Sequence, residues 1–182
     1  MASKFESGRN NEPAHNRHEV TVAATLEYDK RWISLDPELQ FNDGRLGELL
    51  DYLDGKRAGR AMPARRDIDP LELKSHLGRL HLIDVEYAPF RLRLRMMGVT
   101  STETLGRDMT GQYFDEYHPP EILKNVLKTY EWLVEHKRPL RHFGNAVYAD
   151  KSLYAFEVVN LPLSDDDDQI NMIFGEMVLS IE

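Results

Sequence analysis

The pattern of apolar and polar positions changes character at about residue 40. Residues 1–19 contain almost no apolar side chains, so they cannot bury enough surface to offset the entropy of ordering. Residues 20–41 are mixed and carry enough apolar side chains to attach to a neighbouring domain. We therefore predict a partly flexible N-terminal extension over residues 1–41 and one folded domain over residues 42–182.

Two segments have helical periodicity. Four leucines follow the i, i+3, i+4, i+7 spacing of one helix face. They are Leu46, Leu49, Leu50 and Leu53. A longer apolar stripe runs from Ile122 to Val134 behind two prolines that suit a first helical turn, and Pro139 ends it.

Capping signals predict the helix starts. Asn42 or Asp43 can cap the leucine helix, and Asp69 can cap a short helix over residues 70–77. Thr100 and Glu103 have the spacing of a capping box, which predicts one further helical turn that ends at Gly106.

Strand patterns occupy both sides of the helical region. Residues 80–99 form a hairpin pattern, in which the second arm alternates apolar residues with arginines. Three more strand-like runs cover roughly residues 140–149, 152–163 and 169–181. The last two runs are apolar on both faces, so we expect them in the centre of a sheet that is covered on both sides.

Composition narrows the functional classes. The chain of 182 residues has a net charge of -8, which argues against nucleic-acid binding because that needs a basic surface. The chain has no cysteine, which excludes disulfides and thiolate chemistry. It has neither a signal-peptide pattern nor an apolar run long enough to cross a membrane, so we expect a cytoplasmic protein that does not bind membranes.

Three short motifs follow one another along the predicted domain. Pro63, Arg65 and the Asp67-Ile68-Asp69-Pro70 run form a P-x-R-x-D-[IV]-D-P segment. The Gly-Arg-Asp-Met-Thr-Gly of residues 106–111 and the Leu-Pro-Leu of residues 161–163 come later in the chain. In this order the three motifs resemble those of a bacterial single-domain PAS family. The resemblance covers about residues 42–182. It implies an α+β fold, namely a PAS-like five-stranded antiparallel sheet with helices packed on one face and an N-terminal helix.

A PAS-like fold can leave a cavity between the sheet and the helices. Six side chains are candidates to bind a small ligand there: Met97, Tyr113, Phe114, Tyr130, His142 and Tyr154. Such a site would be apolar with a few polar groups. The alternative is that these side chains fill a core without a void, as most protein interiors do.

The surface residues suggest an interface. Leu46, Leu49, Leu50 and Leu53 can pack on the sheet of the same chain or on a second subunit, which predicts a homodimer. Trp132 lies on the polar side of the long helix and is a candidate contact for a partner. The alternative is that the N-terminal extension covers Trp132 through Trp32 or Leu35.

Metal and cofactor signals are weak. His118 and His136 lie off the apolar stripe of the long helix, which disfavours haem, and no other cofactor is indicated. The acidic run of residues 165–168 lacks the spacing of a calcium loop and is typical of a solvated turn. We predict no metal site.

Two functional hypotheses follow. The first is a PAS-like sensory module without catalytic activity that binds a small ligand, a protein signalling partner, or both. The sequence has none of the common catalytic or nucleotide-binding motifs. The alternative is a cone-shaped α+β enzyme, similar to isomerases and hydratases, that uses His142 with Asp84 or Glu157 in an apolar cavity.

Overall fold

A computed structural model of the protein describes residues 33–146 and 154–181. The predicted flexible tail over residues 1–19 lies outside the described residues, as do the last part of the predicted strand at 140–149 and the start of the next one. In chain order the elements are β1 (Ser34–Asp36), α1 (Gly44–Lys56), β2 (Leu80–Tyr87), β3 (Phe90–Met97), α2 (Val99–Leu105), α3 (Phe114–Tyr117), α4 (Pro120–His136), β4 (Leu140–Asn145), β5 (Tyr154–Leu163) and β6 (Met172–Ile181). Two short 3-10 helices occupy Arg65–Asp67 and Pro70–Leu73.

The strands form one antiparallel sheet in the order β1-β4-β5-β6-β2-β3. Strands β5 and β6 lie in the centre, as their apolar character on both faces predicts. The sheet has six strands, so the expected number of five is wrong. The sixth strand is β1, which lies within the predicted extension and is too short for a period-2 pattern. Its pairing with β4 is supported by an ion pair between Asp36 and Arg141.

Helix α1 covers one face of the sheet, together with Ile68 and Leu73 from the segment of the 3-10 helices. Leu46, Leu49 and Leu53 are buried against apolar side chains of the central strands. The carboxylate of Asp43 accepts a hydrogen bond from the backbone N–H of Arg45, which confirms one of the two predicted caps.

Helices α2, α3 and α4 cover the opposite face. The stripe of α4 packs there, and Tyr130 and Leu133 are buried in the main apolar core. The short helix predicted over residues 70–77 is the 3-10 turn Pro70–Leu73, capped by Asp69. In the described part of the chain, no helix is both long and apolar enough to cross a membrane.

Helix α2 begins earlier than predicted. Gly98 is its N-cap and no side chain caps it, so the capping box at Thr100 is wrong. Gly98 contacts the backbone of Gly78 so closely that a Cβ on Gly98 would overlap it. The carbonyl of Gly78 then accepts the N–H groups of Thr100 and Ser101, which replaces the side-chain cap and holds α2 against the start of β2.

Candidate functional site

A cavity of about 100 Å³ lies between the sheet and helices α2, α3 and α4. Its wall is mainly apolar and aromatic. The lining residues are Ile33, His81, Ile83, Leu94, Met97, Ser101, Leu105, Met109, Phe114, Tyr117, His118, Val126, Thr129, Tyr130, His142, Phe156, Val158 and Met177. The sheet supplies its floor, and the three helices supply its roof.

The structure brings together four of the six predicted ligand contacts. Met97, Phe114, Tyr130 and His142 line the cavity. Tyr113 lies at the edge of β3, where its hydroxyl donates to Glu86. Tyr154 is partly buried in a small apolar cluster beside the cavity and does not line it.

Aromatic rings form the helical side of the wall. The Phe114 ring lies edge-on to Tyr130, with the two centroids 5.4 Å apart, and 5.5 Å from the ring of Tyr117. The His118 ring lies tilted against Tyr117, with the two centroids 4.5 Å apart. Such rings provide a large apolar surface with few rotatable bonds, which suits a pocket of defined shape.

Three polar side chains form a hydrogen-bonded relay on the sheet side. Nε2 of His81 lies 2.9 Å from Oδ1 of Asn160, and Nδ2 of Asn160 lies 3.0 Å from Nδ1 of His142. The three residues stand on β2, β5 and β4, and all are at least nine-tenths buried. We call this group the His81–Asn160–His142 relay.

Both histidines of the relay are neutral at pH 7. Burial lowers the pKa of His81 to about 4. Burial also lowers the pKa of His142 to about 3, and the nearby His81 and Arg141 act in the same direction. A neutral imidazole has one N–H donor and one bare nitrogen that accepts, so each ring can make two different hydrogen bonds.

Ser101 provides a further polar group from α2. Its side chain is 2% exposed and lines the cavity. Its hydroxyl oxygen has essentially no accessible surface, and within residues 33–146 and 154–181 it is the only such side-chain N or O atom without a hydrogen-bond partner. An unpaired buried hydroxyl is costly, so in native proteins it indicates a functional role or a bound molecule.

Sequence reasoning missed Ser101, His81 and Asn160. One signal was available for the last two, because each is a polar residue on a strand face whose other members are apolar. His81 alternates with Ile83 and Val85, and Asn160 follows Val158. Ser101 gave no such signal, since its environment depends on where α2 docks.

The carboxylates of the alternative enzyme hypothesis do not reach His142. Glu157 lies on the opposite face of β5, where it accepts a hydrogen bond from Nε of Arg141 at 2.6 Å. Asp84 forms an ion pair with Arg95. No Asp or Glu is among the described residues that line the cavity.

The acidic run at residues 165–168 forms the turn between β5 and β6. Asp166 accepts hydrogen bonds from the backbone N–H groups of Asp168 and Gln169, and Asp167 accepts those of Ala61 and Met62. The carboxylates therefore hold the turn and the segment before the 3-10 helices. Within the described ranges, no three His, Cys, Asp or Glu side chains are arranged to hold a metal ion.

The predicted interface residues have different environments. Leu46, Leu49 and Leu53 are covered by the sheet of their own chain, whereas Leu50 is partly exposed. Trp132 is partly buried and its ring stacks on His136, with the centroids 4.1 Å apart. A homodimer through these residues stays a prediction, and one that uses the three buried leucines requires α1 to leave the sheet.

Comparisons with known proteins give a family match and a structural similarity. No curated protein matches the chain significantly. A solved structure of an RNA-binding Light-Oxygen-Voltage receptor aligns at 12% identity and a TM-score of 0.44, over 64% of this chain and 35% of that receptor. Residues 44–178 match the family model of the PAS domain. Because this match spans most of the chain, the protein belongs to the PAS domain family.

Proposed function

We propose that this PAS domain is a sensory module that binds a small ligand in the cavity beneath α2, α3 and α4. The observation that carries the proposal is the buried, unpaired hydroxyl of Ser101, which lines that cavity. A bound ligand with a polar group would pair this hydroxyl and fill the apolar space around it.

The size of the cavity limits the ligand. An apolar cavity of about 150 Å³ in another protein holds benzene, so a space of about 100 Å³ suits a molecule of similar or smaller size. Larger ligands would require α2 or α4 to move outward. The mainly apolar wall favours a compact molecule with one or two polar atoms.

A sensor must also transmit the binding event. A ligand shifts a conformational equilibrium only if it binds the two states with different affinities. Strand β5 carries Phe156 and Val158 on the cavity face and Glu157 on the face toward α1. This alternation gives a direct route from the ligand to α1, and α1 would then present the signal to a protein partner.

The proposal is tested by adding a small probe to the purified full chain. We expect cyclopentanone to shift the NMR amide signals of residues around the cavity in a saturable manner. Replacing Ser101 with Leu should abolish these shifts, because the larger side chain fills the space. Ser75→Leu is the matched control, since Ser75 is exposed, and it should bind the probe as the unmodified protein does.

Thr129→Leu fills the same cavity from α4 and serves if the first variant does not fold. Saturable binding that either cavity-filling variant removes supports the proposal. Absence of any saturable shift in the unmodified protein, or equal binding by the filled variants, would overturn it.

A further inference from the structure

The His81–Asn160–His142 relay determines which polar atoms the sheet side of the cavity presents to a ligand. In the structure the Asn160 carbonyl oxygen accepts from Nε2 of His81, and its amide group donates to Nδ1 of His142. An amide has one accepting end and one donating end, so the two imidazoles are held in complementary roles.

Each ring then has one remaining nitrogen. His81 carries its proton on Nε2, which leaves Nδ1 bare, and His142 accepts at Nδ1, which places its proton on Nε2. Both rings line the cavity, and no described residue hydrogen-bonds to either remaining nitrogen. Beside the Ser101 hydroxyl, the two rings that line the cavity therefore carry one unpaired acceptor, His81 Nδ1, and one unpaired donor, His142 Nε2–H.

The complementary pair does not depend on the orientation of the amide. Rotating the Asn160 amide by half a turn would make the remaining nitrogen of His142 an acceptor and the remaining nitrogen of His81 a donor. One donor and one acceptor would still remain. The relay thus guarantees a mixed pair, which two independent histidines would not.

The charge of the cavity adds a second restriction. Its described lining contains no Asp, Glu, Lys or Arg. Arg141 and Glu157 lie on the other face of the sheet, where they pair with each other. A charged ligand would lose its hydration without gaining a counter-charge from any lining side chain, which is strongly unfavourable.

We infer that the cavity selects an uncharged ligand that carries both a hydrogen-bond donor and an acceptor, as a carboxamide or a lactam does. This inference rests on the proposed function, because it names the ligand class for the same site. His81 and His142 are the specificity-determining residues, and Asn160 acts through them as a positioning residue.

The first test needs no ligand. Long-range ¹H–¹⁵N NMR of the imidazole rings should show His81 and His142 neutral at pH 7 and both in the same tautomer, protonated at Nε2 as the structure has it. The rotated amide would give both rings the Nδ1–H form and would also support the relay. One ring in each tautomer, or a charged ring, would overturn it.

The second test compares probes of nearly equal shape: 2-pyrrolidinone with a donor and an acceptor, cyclopentanone with an acceptor only, methylenecyclopentane with neither, and the pyrrolidinium cation. We expect 2-pyrrolidinone to bind about fivefold more tightly than cyclopentanone, as one net hydrogen bond allows. The cation should not bind.

His81→Phe removes the acceptor that only the lactam N–H can use, so it should abolish the preference for the lactam while the cavity still binds the ketone. His136→Phe makes the same change on the exposed end of α4 and should keep the preference. Asn160→Leu, which removes the positioning amide, is the second variant if His81→Phe does not fold.

The outcomes separate the two proposals. Equal binding of lactam, ketone and hydrocarbon, or preferential binding of the cation, overturns the selectivity and leaves the sensor proposal standing. If no probe binds while the tautomers are as expected, the cavity holds water only, and both the ligand class and the proposed function fail.

Discussion

Gly175 allows the His81 ring to lie across strand β6. A Cβ at this position would overlap the carbonyl oxygen of Val159 and the Nε2 edge of the His81 ring. That edge is the one that bonds Asn160, so the geometry of the relay depends on a glycine in the next strand. Ser101 depends in a similar way on Gly98, whose close contact with Gly78 seats α2.

Replacing Gly175 with Ala should lower the free energy of unfolding by about 2 kcal/mol, as insertion of a methyl group into a packed interior does. Urea unfolding measures this loss, and the ring signals of His81 should move because the bond to Asn160 is strained. Gly55→Ala is the control, since a Cβ there meets nothing within 4 Å and alanine is the better helix former. Unchanged stability of the Gly175 variant would refute this account.

Helix α1 is attached to the sheet at its N-terminal end by Glu157. The carboxylate accepts the backbone N–H groups of Asn42 at 2.8 Å and Asp43 at 3.1 Å, together with Nε of Arg141. Negative charge at a helix N-terminus is favourable because it meets unpaired N–H groups and the positive end of the helix dipole. The neighbours of Glu157 along β5 line the cavity, so this anchor links the cavity wall with α1.

Glu157→Gln should loosen α1, because the amide cannot neutralise the buried Arg141 or accept all three bonds. We expect a loss of about 3 kcal/mol of stability, typical of a broken buried ion pair. Hydrogen exchange should rise more for the amides of α1 than for those of β5. Glu135→Gln on the exposed side of α4 should change neither quantity. An even rise across all elements would show that Glu157 has no special connection to α1.

Within the described part of the chain, burial keeps three histidines neutral. The pKa of His118 is lowered to about 4 by burial and by the nearby Arg107, and those of His81 and His142 are lowered as described above. In the unfolded chain a histidine titrates near pH 6.5. As the pH falls below this value, the unfolded state binds protons that the folded state does not, so stability declines.

As the pH falls from about 6.5 to about 5, each of these three histidines should lower the free energy of unfolding by about 2 kcal/mol. One proton bound only by the unfolded state corresponds to about 1.4 kcal/mol per pH unit. The carboxylates with lowered pKa, such as Asp115 beside Arg91, titrate below this window. Urea unfolding at several pH values measures how steeply the free energy of unfolding changes with pH. His142→Phe should reduce this slope by about 1.4 kcal/mol per pH unit, the contribution of one proton. Stability that stays constant over this range would contradict the buried, neutral state.

Much of the architecture could be predicted from periodicity. The Leu46–Leu53 spacing predicts α1, the Ile122–Val134 stripe predicts α4, and apolar character on both faces predicts that β5 and β6 are central. These features are predictable because burial of one face imposes a local period, which a single segment of the chain records.

Local patterns in the sequence therefore predicted most of the elements, their order and the resemblance to the PAS family. The tertiary structure decided the addition of β1 to the sheet and the chemistry of the cavity. The relay joins His81 to a residue 79 positions away and His142 to one 18 positions away. No local period encodes such a contact, because the partners meet only when β2, β4, β5 and β6 lie side by side. For the same reason Ser101 acquires its buried, unpaired hydroxyl only when α2 docks on the completed sheet.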